Sequence, residues 1–212
     1  MPKPPLAHLS ARERRRIQRI CFALFARHGY DHTSMKMITG SLKVADGYLY
    51  YYFEGKLDLV HWLIDVGLEK WSSGLRKNLE EQAPEDVYEL FKLTLVQTVR
   101  FIRKNRDLFG MYFKFINDPD FPLILYLGER VAELDSNYVD HIRRGMQNGR
   151  FRSDICPDTA GMVFDVVAVR IHNFVFNPAL DPLGVATMND DDLEKLVEKF
   201  VTVFDKGIDA AS

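Results

Sequence analysis

Cysteine is almost absent from this chain: Cys21 and Cys156, far apart in 212 residues, are its only two thiols. They offer neither a disulfide framework nor the paired spacing of a zinc site, and they suit a reducing compartment in which both are small buried or half-buried side chains. Long apolar runs are missing too. No stretch approaches the roughly 20 uninterrupted apolar residues of a membrane span, and residues 1–10 carry prolines but no apolar segment fit for a signal peptide. A cytoplasmic protein with no membrane partner is expected. Internal repeats and low-complexity tracts are lacking, and no run alternates apolar and polar residues with period two, so a sheet is not expected. Catalytic signatures are equally scarce: there is no phosphate-binding glycine loop, no nucleophile elbow and no outstanding pair of acid and base. A di-iron helical bundle would need two Glu-x-x-His motifs, and only Asp58 to His61 comes near, once. The expectation is therefore no enzyme, no metal and no cofactor.

What the chain does have is uneven charge. Residues 1–56 hold ten Lys+Arg against four Asp+Glu, a net of +6, whereas the rest holds 18 against 26, a net of −8; together they make the overall −2. A near-neutral total thus conceals a basic head on an acidic body, an asymmetry that concentrates phosphate affinity at one end. Arg12, Arg14, Arg15 and Arg16 alone would pass for a solvated helix face. The residues that follow give them a context.

Residues 12–27 place Ile17, Ile20, Cys21, Leu24 and Phe25 at helical steps, with arginines on the other face, and Gly29 stops the run. Thr33 or Ser34 is an N-cap for a second helix carrying Met35, Met37, Ile38 and Leu42, and Lys43 and Val44 turn into a third. Two helices joined by a turn of three or four residues make a helix-turn-helix, whose last helix would enter a DNA major groove. That third segment holds Tyr48, Tyr50, Tyr51 and Tyr52. Adjacent helical residues project about 100° apart, so four tyrosines cannot all face one core and some must point outward.

Leu24, Phe25, Gly29, Tyr30, Thr33, Ser34, Ile38, Val44, Gly47, Leu49, Tyr50, Phe53, Lys56 and Leu57 together resemble, in order and spacing, the DNA-binding domain of the TetR family of bacterial transcriptional regulators. Lys43, Ala45 and Tyr48 depart from the family's usual small or hydroxyl residues. The resemblance implies a head at residues 1–56 that binds a double-stranded operator. It also implies a body at residues 57–212 that binds an effector and dimerises.

On this reading Tyr48, Tyr50 and Tyr51 meet base edges and flanking sugar-phosphate, Gly47 lets the backbone approach closely, and Tyr52 grips a phosphate. Packing against Phe53 is the alternative for Tyr50. Thr33 and Ser34 cap the second helix at a phosphate, Lys36 reaches a phosphate or a guanine, and Lys56 clamps the backbone. Asp46 either caps a helix or accepts from a cytosine amine.

Beyond Lys56 the punctuation marks about six more helices, at residues 57–80, 85–104, 107–117, 122–149, 158–177 and 190–207, which makes the protein all-α: a three-helix head on a helical bundle. Phe109, Tyr112, Phe113, Tyr138, His172 and Phe174 are candidate effector contacts, because aromatic linings with a few polar groups suit an apolar or aromatic small molecule. Such a stripe can equally be plain core. Residues 158–177 are apolar in nearly every direction, which points to burial on two sides, one of them against a second copy. Val163, Val167 and Phe174, with Leu196, Phe200, Val201 and Phe204 on the last helix, are the candidate homodimer contacts. The competing function is a helical carrier of hydrophobic molecules that binds no DNA.

Overall fold

The computed structural model describes residues 6–208 except 83, 85 and 136. Among them the chain is all-helical: α1 Ala11–His28, α2 Met35–Leu42, α3 Lys56–Gln82, α4 Val87–Lys104, α5 Arg106–Ile116, α6 Ile124–Asp135, α7 Asn137–Gln147, α8 Pro157–Phe176 and α9 Asp190–Ile208, with 3-10 turns at Leu6–His8, Leu49–Tyr51 and Pro178–Leu180. Where one helix is expected at 122–149 the described residues form α6 and α7, and residue 136 between them lies outside the described residues. The apolar stripe from Leu127 to Met146 runs over both; Leu134, one of its members, lies outside the described side chains.

The chain forms two compact units, Met1–Lys70 with Asn105–Val131, and Trp71–Lys104 with Ala132–Ser212. In the first, Ser10 opens α1 with a capping box: its hydroxyl accepts from the Glu13 amide (3.2 Å), and the Glu13 carboxylate accepts from the Ser10 amide (3.0 Å). Two orphan donors of the helix end are thereby satisfied reciprocally. The buried face of α1, Ile17, Cys21 and Phe25, packs on α5, where Phe25 meets Phe115 edge-on at 5.6 Å and Phe115 stacks on Phe121 at 4.2 Å. α3 is pinned to α5 through Gly67 and Tyr112, whose hydroxyl donates to the Ile64 carbonyl. Tyr126 of α6 stacks on His61 and donates to Asp65, and desolvation with that carboxylate pushes its phenol up to about 12.

In the second unit α4 is the central element, buried along Val87, Leu90, Phe91, Leu95, Val99 and Ile102 and packed against α7, α8 and α9. Phe91, Tyr138, Phe164 and Phe204 form one aromatic cluster with ring separations of 4.6–6.3 Å. A ladder of ion pairs ties α9 to α4: Lys92 to Glu198 at 2.6 Å, Arg100 to Asp190 and Glu194 at 2.9 Å each, and Arg103 to Asp190 at 3.3 Å. Partial exposure and screening keep each such pair modest, so the buried Leu193 and Val197 carry more of the attachment.

α8 is long and apolar enough, by length and composition, to cross a membrane. It nevertheless buries Phe164, Ala168, Ile171 and Val175 against protein, with Gly161 placed so that a Cβ would lie 2.9 Å from Val139.

Candidate nucleic-acid interface

The helix-turn-helix is assembled by caps and buried anchors. Ser34 is the N-cap of α2, accepting from the Met37 amide at 3.2 Å. Thr33 is not: it is fully buried and its hydroxyl donates to the Gly29 carbonyl at 2.7 Å, so it locks the α1–α2 turn and has no surface to offer a phosphate. At the other end, Lys43 adopts the left-handed conformation (φ 53°, ψ 48°), and the Arg16 guanidinium donates to the Leu42 carbonyl. A left-handed residue lets the chain reverse sharply and is usually glycine. Here a cation occupies it.

The segment after the turn is tighter than the sequence suggested. Instead of a full α-helix there is a turn over residues 45–48 followed by a single 3-10 turn, Leu49–Tyr51, with the Tyr48 amide on the Ala45 carbonyl (2.9 Å) and the Phe53 amide on the Leu49 carbonyl (2.9 Å). At three residues per turn, each side chain lies about 120° from the next. With Leu49 buried at 0% exposure and Phe53 at 1%, Tyr50 and Tyr51 flank the buried edge and stand 51% and 60% exposed. Packing on Phe53, the alternative for Tyr50, does not cover it.

The other two tyrosines are half-buried. Tyr52 lies edge-on to Tyr48 at 5.6 Å and to Tyr51 at 5.0 Å. Tyr48 faces Tyr52 and Glu13, and desolvation first, then those neighbours, raise its phenol; Glu13 is in turn held below the usual carboxylate range, chiefly by the Ser10 hydroxyl. These contacts tie the segment to the start of α1. Asp46 caps no helix: its Oδ1 accepts from the buried Thr39 hydroxyl at 3.3 Å, which staples the turn to α2. A Cβ built on Gly47 would meet nothing within 4 Å, so no packing within the protein calls for the glycine there. Lys36 is exposed, as is Met37 at 37%. Lys56 is engaged within the protein, its amine donating to the Tyr30 carbonyl (2.8 Å) and lying 4.0 Å from the Tyr30 ring centre.

The candidate effector residues divide between the units. Phe109, Tyr112 and Phe113 belong to the first, and burial pushes the Tyr112 phenol up. Tyr138, His172 and Phe174 belong to the second, where Tyr138 joins the aromatic cluster, Arg170 covers the Phe174 ring at 4.9 Å, and burial lowers His172 to about 4. None of them lines the two cavities that open on α4. One, of about 420 Å³, is bounded by Gln82, Pro84, Glu89, Lys92, Leu93, Val96, Gln97, Arg100 and Glu194. The other, of about 170 Å³, is bounded by Trp71, Gly74, Leu75, Asn78, Gln97, Arg100, Phe101 and Lys104. They share Gln97 and Arg100. Apart from the aromatic Phe101, these residues gave no signal in the sequence, because they are mostly polar and scattered over three helices. Among the described residues no group of three His, Cys, Asp or Glu is placed to hold a metal.

Of the candidate dimer contacts, Val163 is 45% exposed; Val167, Leu196, Phe200 and Val201 are half-buried. Phe174 is buried, and Phe204 packs on Phe91 and Phe164 of its own unit. More exposed than any of these are Met162 (64%), Val166 (62%) and Val169 (56%), which recur at steps of four and three on the outer face of α8, and Val203 (69%) on α9.

Comparison with known proteins places this arrangement. Residues 22–63 match the family described as "Bacterial regulatory proteins, tetR family". The chain is 28% identical over 173 residues to the HTH-type transcriptional repressor Rv1474c of Mycobacterium tuberculosis, covering 79% of this chain and 83% of that protein. A TetR family transcriptional regulator of Chloroflexus aurantiacus superposes with a TM-score of 0.75 at 22% identity over 96% of each chain. FadR of Bacillus subtilis, solved with stearoyl-CoA, superposes with a TM-score of 0.73 at 16% identity over 92% of this chain and 99% of that one.

Proposed function

Because the chain belongs to the TetR family of bacterial transcriptional regulators, we propose that it is a cytoplasmic, homodimeric repressor that occupies a palindromic operator and leaves it when an apolar or aromatic small molecule binds. The observation that carries the DNA-binding half is the exposed pair Tyr50 and Tyr51, held out by the buried Leu49 and Phe53 on a head of net charge +6. Residues 1–56 supply this contact and residues 57–212 the effector site and the dimer. Ser34 and Lys36 at the start of α2 take a phosphate, Gly47 admits the DNA backbone, and Tyr48, Tyr52, Asp46 and Lys56 act mainly by holding the reading segment and the start of α3 in place. Repression is the reading supported by the mycobacterial relative, itself a repressor.

The cavities on α4 give the effector a place, with Trp71, Leu75, Leu93, Val96 and Phe101 for an apolar body and Gln97 and Arg100 for a polar end. An effector can release DNA only if it binds the DNA-incompetent state more tightly than the competent one.

Purified protein should prefer one palindromic duplex from its own upstream region over random duplex, with affinity falling as salt rises by about 0.9 in log–log slope per phosphate contacted. A compound of the right class should raise the melting temperature and release that duplex over the same concentration range, since linked equilibria must show in both. Equal binding to every duplex would overturn the regulator reading. Stabilisation without release would point to a carrier.

A further inference from the structure

The reading segment is notable for the side chains it lacks. From Val44 to Phe53 there is no Arg, Lys, Asn or Gln, the residues that make bidentate hydrogen bonds to guanine or adenine in the major groove. Its one carboxylate, Asp46, is already bonded to Thr39. What the segment and the adjoining face of α2 expose instead, beside the Lys36 amine, is ring and thioether: Tyr50, Tyr51 and Met37. An apolar surface gains by leaving water, and the base edges of the major groove offer it one apolar group, the C5-methyl of thymine.

We infer that this protein reads its operator through thymine methyl groups, with Tyr50, Tyr51 and Met37 as the specificity-determining side chains. The inference rests on the DNA-binding reading above and specifies what that site recognises. Lys36 and Lys43, both exposed, supply charge to phosphates and fix register. The tyrosine hydroxyls add phosphate contacts that carry no sequence information. Discrimination then comes from methyl burial, so half-sites should be rich in thymine at the positions under the 3-10 turn, and specificity should survive loss of the hydroxyls.

The test starts from the duplex that full-length protein enriches out of a random library. Each thymine of one half-site is replaced in turn by deoxyuridine, which removes the methyl and keeps the base pair, and affinity is read by fluorescence anisotropy at fixed salt. Burying one methyl corresponds to about fourfold in affinity, so uridine should weaken binding by about that factor at two or more positions. Tyr51→Ala should abolish the uridine effect at one of those positions, while Tyr51→Phe should keep it. These side chains are exposed, and unchanged melting temperatures verify that the variants fold. An enriched duplex indifferent to every uridine, but weakened where 7-deazaguanine replaces guanine, would overturn the inference in favour of guanine reading by Lys36. Indifference to uridine with Tyr51→Phe as damaging as Tyr51→Ala would overturn it in favour of phosphate contacts alone. If no duplex is enriched, the DNA-binding reading itself falls, a result separate from either of these.

Discussion

His172 shows how much one ring nitrogen shut off from water can commit. On α8 its Nε2 is removed from solvent, and desolvation lowers the imidazole from 6.5 to about 4. The folded state therefore binds fewer protons than the unfolded chain between those two values. This contribution to stability is fully present above about pH 6.5 and is lost as pH falls toward 4, amounting to at most about 3 kcal/mol. His172→Gln should accordingly flatten the dependence of the urea midpoint on pH across that window, and identical slopes for variant and wild type would refute the assignment. The cysteines separate in the same way. Cys21 is buried and its thiol is pushed up to about 12, which keeps it protonated and inert. Cys156, expected to be at least half-buried, is exposed beside the start of α8, and hydrogen bonds from Thr159 lower its thiol.

Elements were legible in the sequence where one rule governed them, and obscure where two competed. α1 could be read from its stripe and its Gly29 stop because pattern and punctuation agree there. The reading segment could not be, since Leu49 and Phe53, four apart, suit an α-helix while the chain makes a 3-10 turn. Exposure of Tyr50 and Tyr51 was nonetheless foreseeable, for either helix forces adjacent rings apart. Thr33 and Ser34 were equivalent as caps on paper, and only burial decides between them. Gly67 is the clearest case of a signal invisible in one dimension: within α3 it breaks no pattern, yet a Cβ there would lie 2.6 Å from Leu108 Cδ1 and 2.7 Å from the Tyr112 hydroxyl. Gly67→Ala should force Tyr112 off the Ile64 carbonyl and cost about 1–3 kcal/mol, despite the gain of up to about 1 kcal/mol in helix propensity. Gly74→Ala, in the same helix with nothing within 4 Å, should capture the propensity gain alone. Urea midpoints moving the same way for both variants would show that the close approach at Gly67 is not felt.

For the molecule as a whole, the two faces of α8 set the terms of assembly. Its inner stripe, Phe164, Ala168, Ile171 and Val175, closes the second unit, which leaves Met162, Val166 and Val169 on the other side more than half exposed and Val163 nearly so. In the proposed homodimer that stripe, together with Val203 on α9, would meet its copy across a two-fold axis, each copy covering the other's valines. A symmetric operator needs this symmetry, because a dimer reaches two half-sites a helical turn or more apart, whereas one head makes too few contacts to hold a site at physiological salt. Val167 and Val201, outward on helical spacing, are half-buried in the fold, so arginine there would strain the subunit itself. Val166→Arg and Val203→Arg place the charge where the single subunit tolerates it and a dimer does not. Each should remain helical with a melting temperature near that of an undocked wild-type subunit, sediment as a monomer at micromolar concentration, and lose the palindrome while keeping weak binding to any duplex. Wild-type protein that sediments as a monomer at that concentration yet holds its operator fully would contradict the dimer, and the outer face of α8 would then need a different partner.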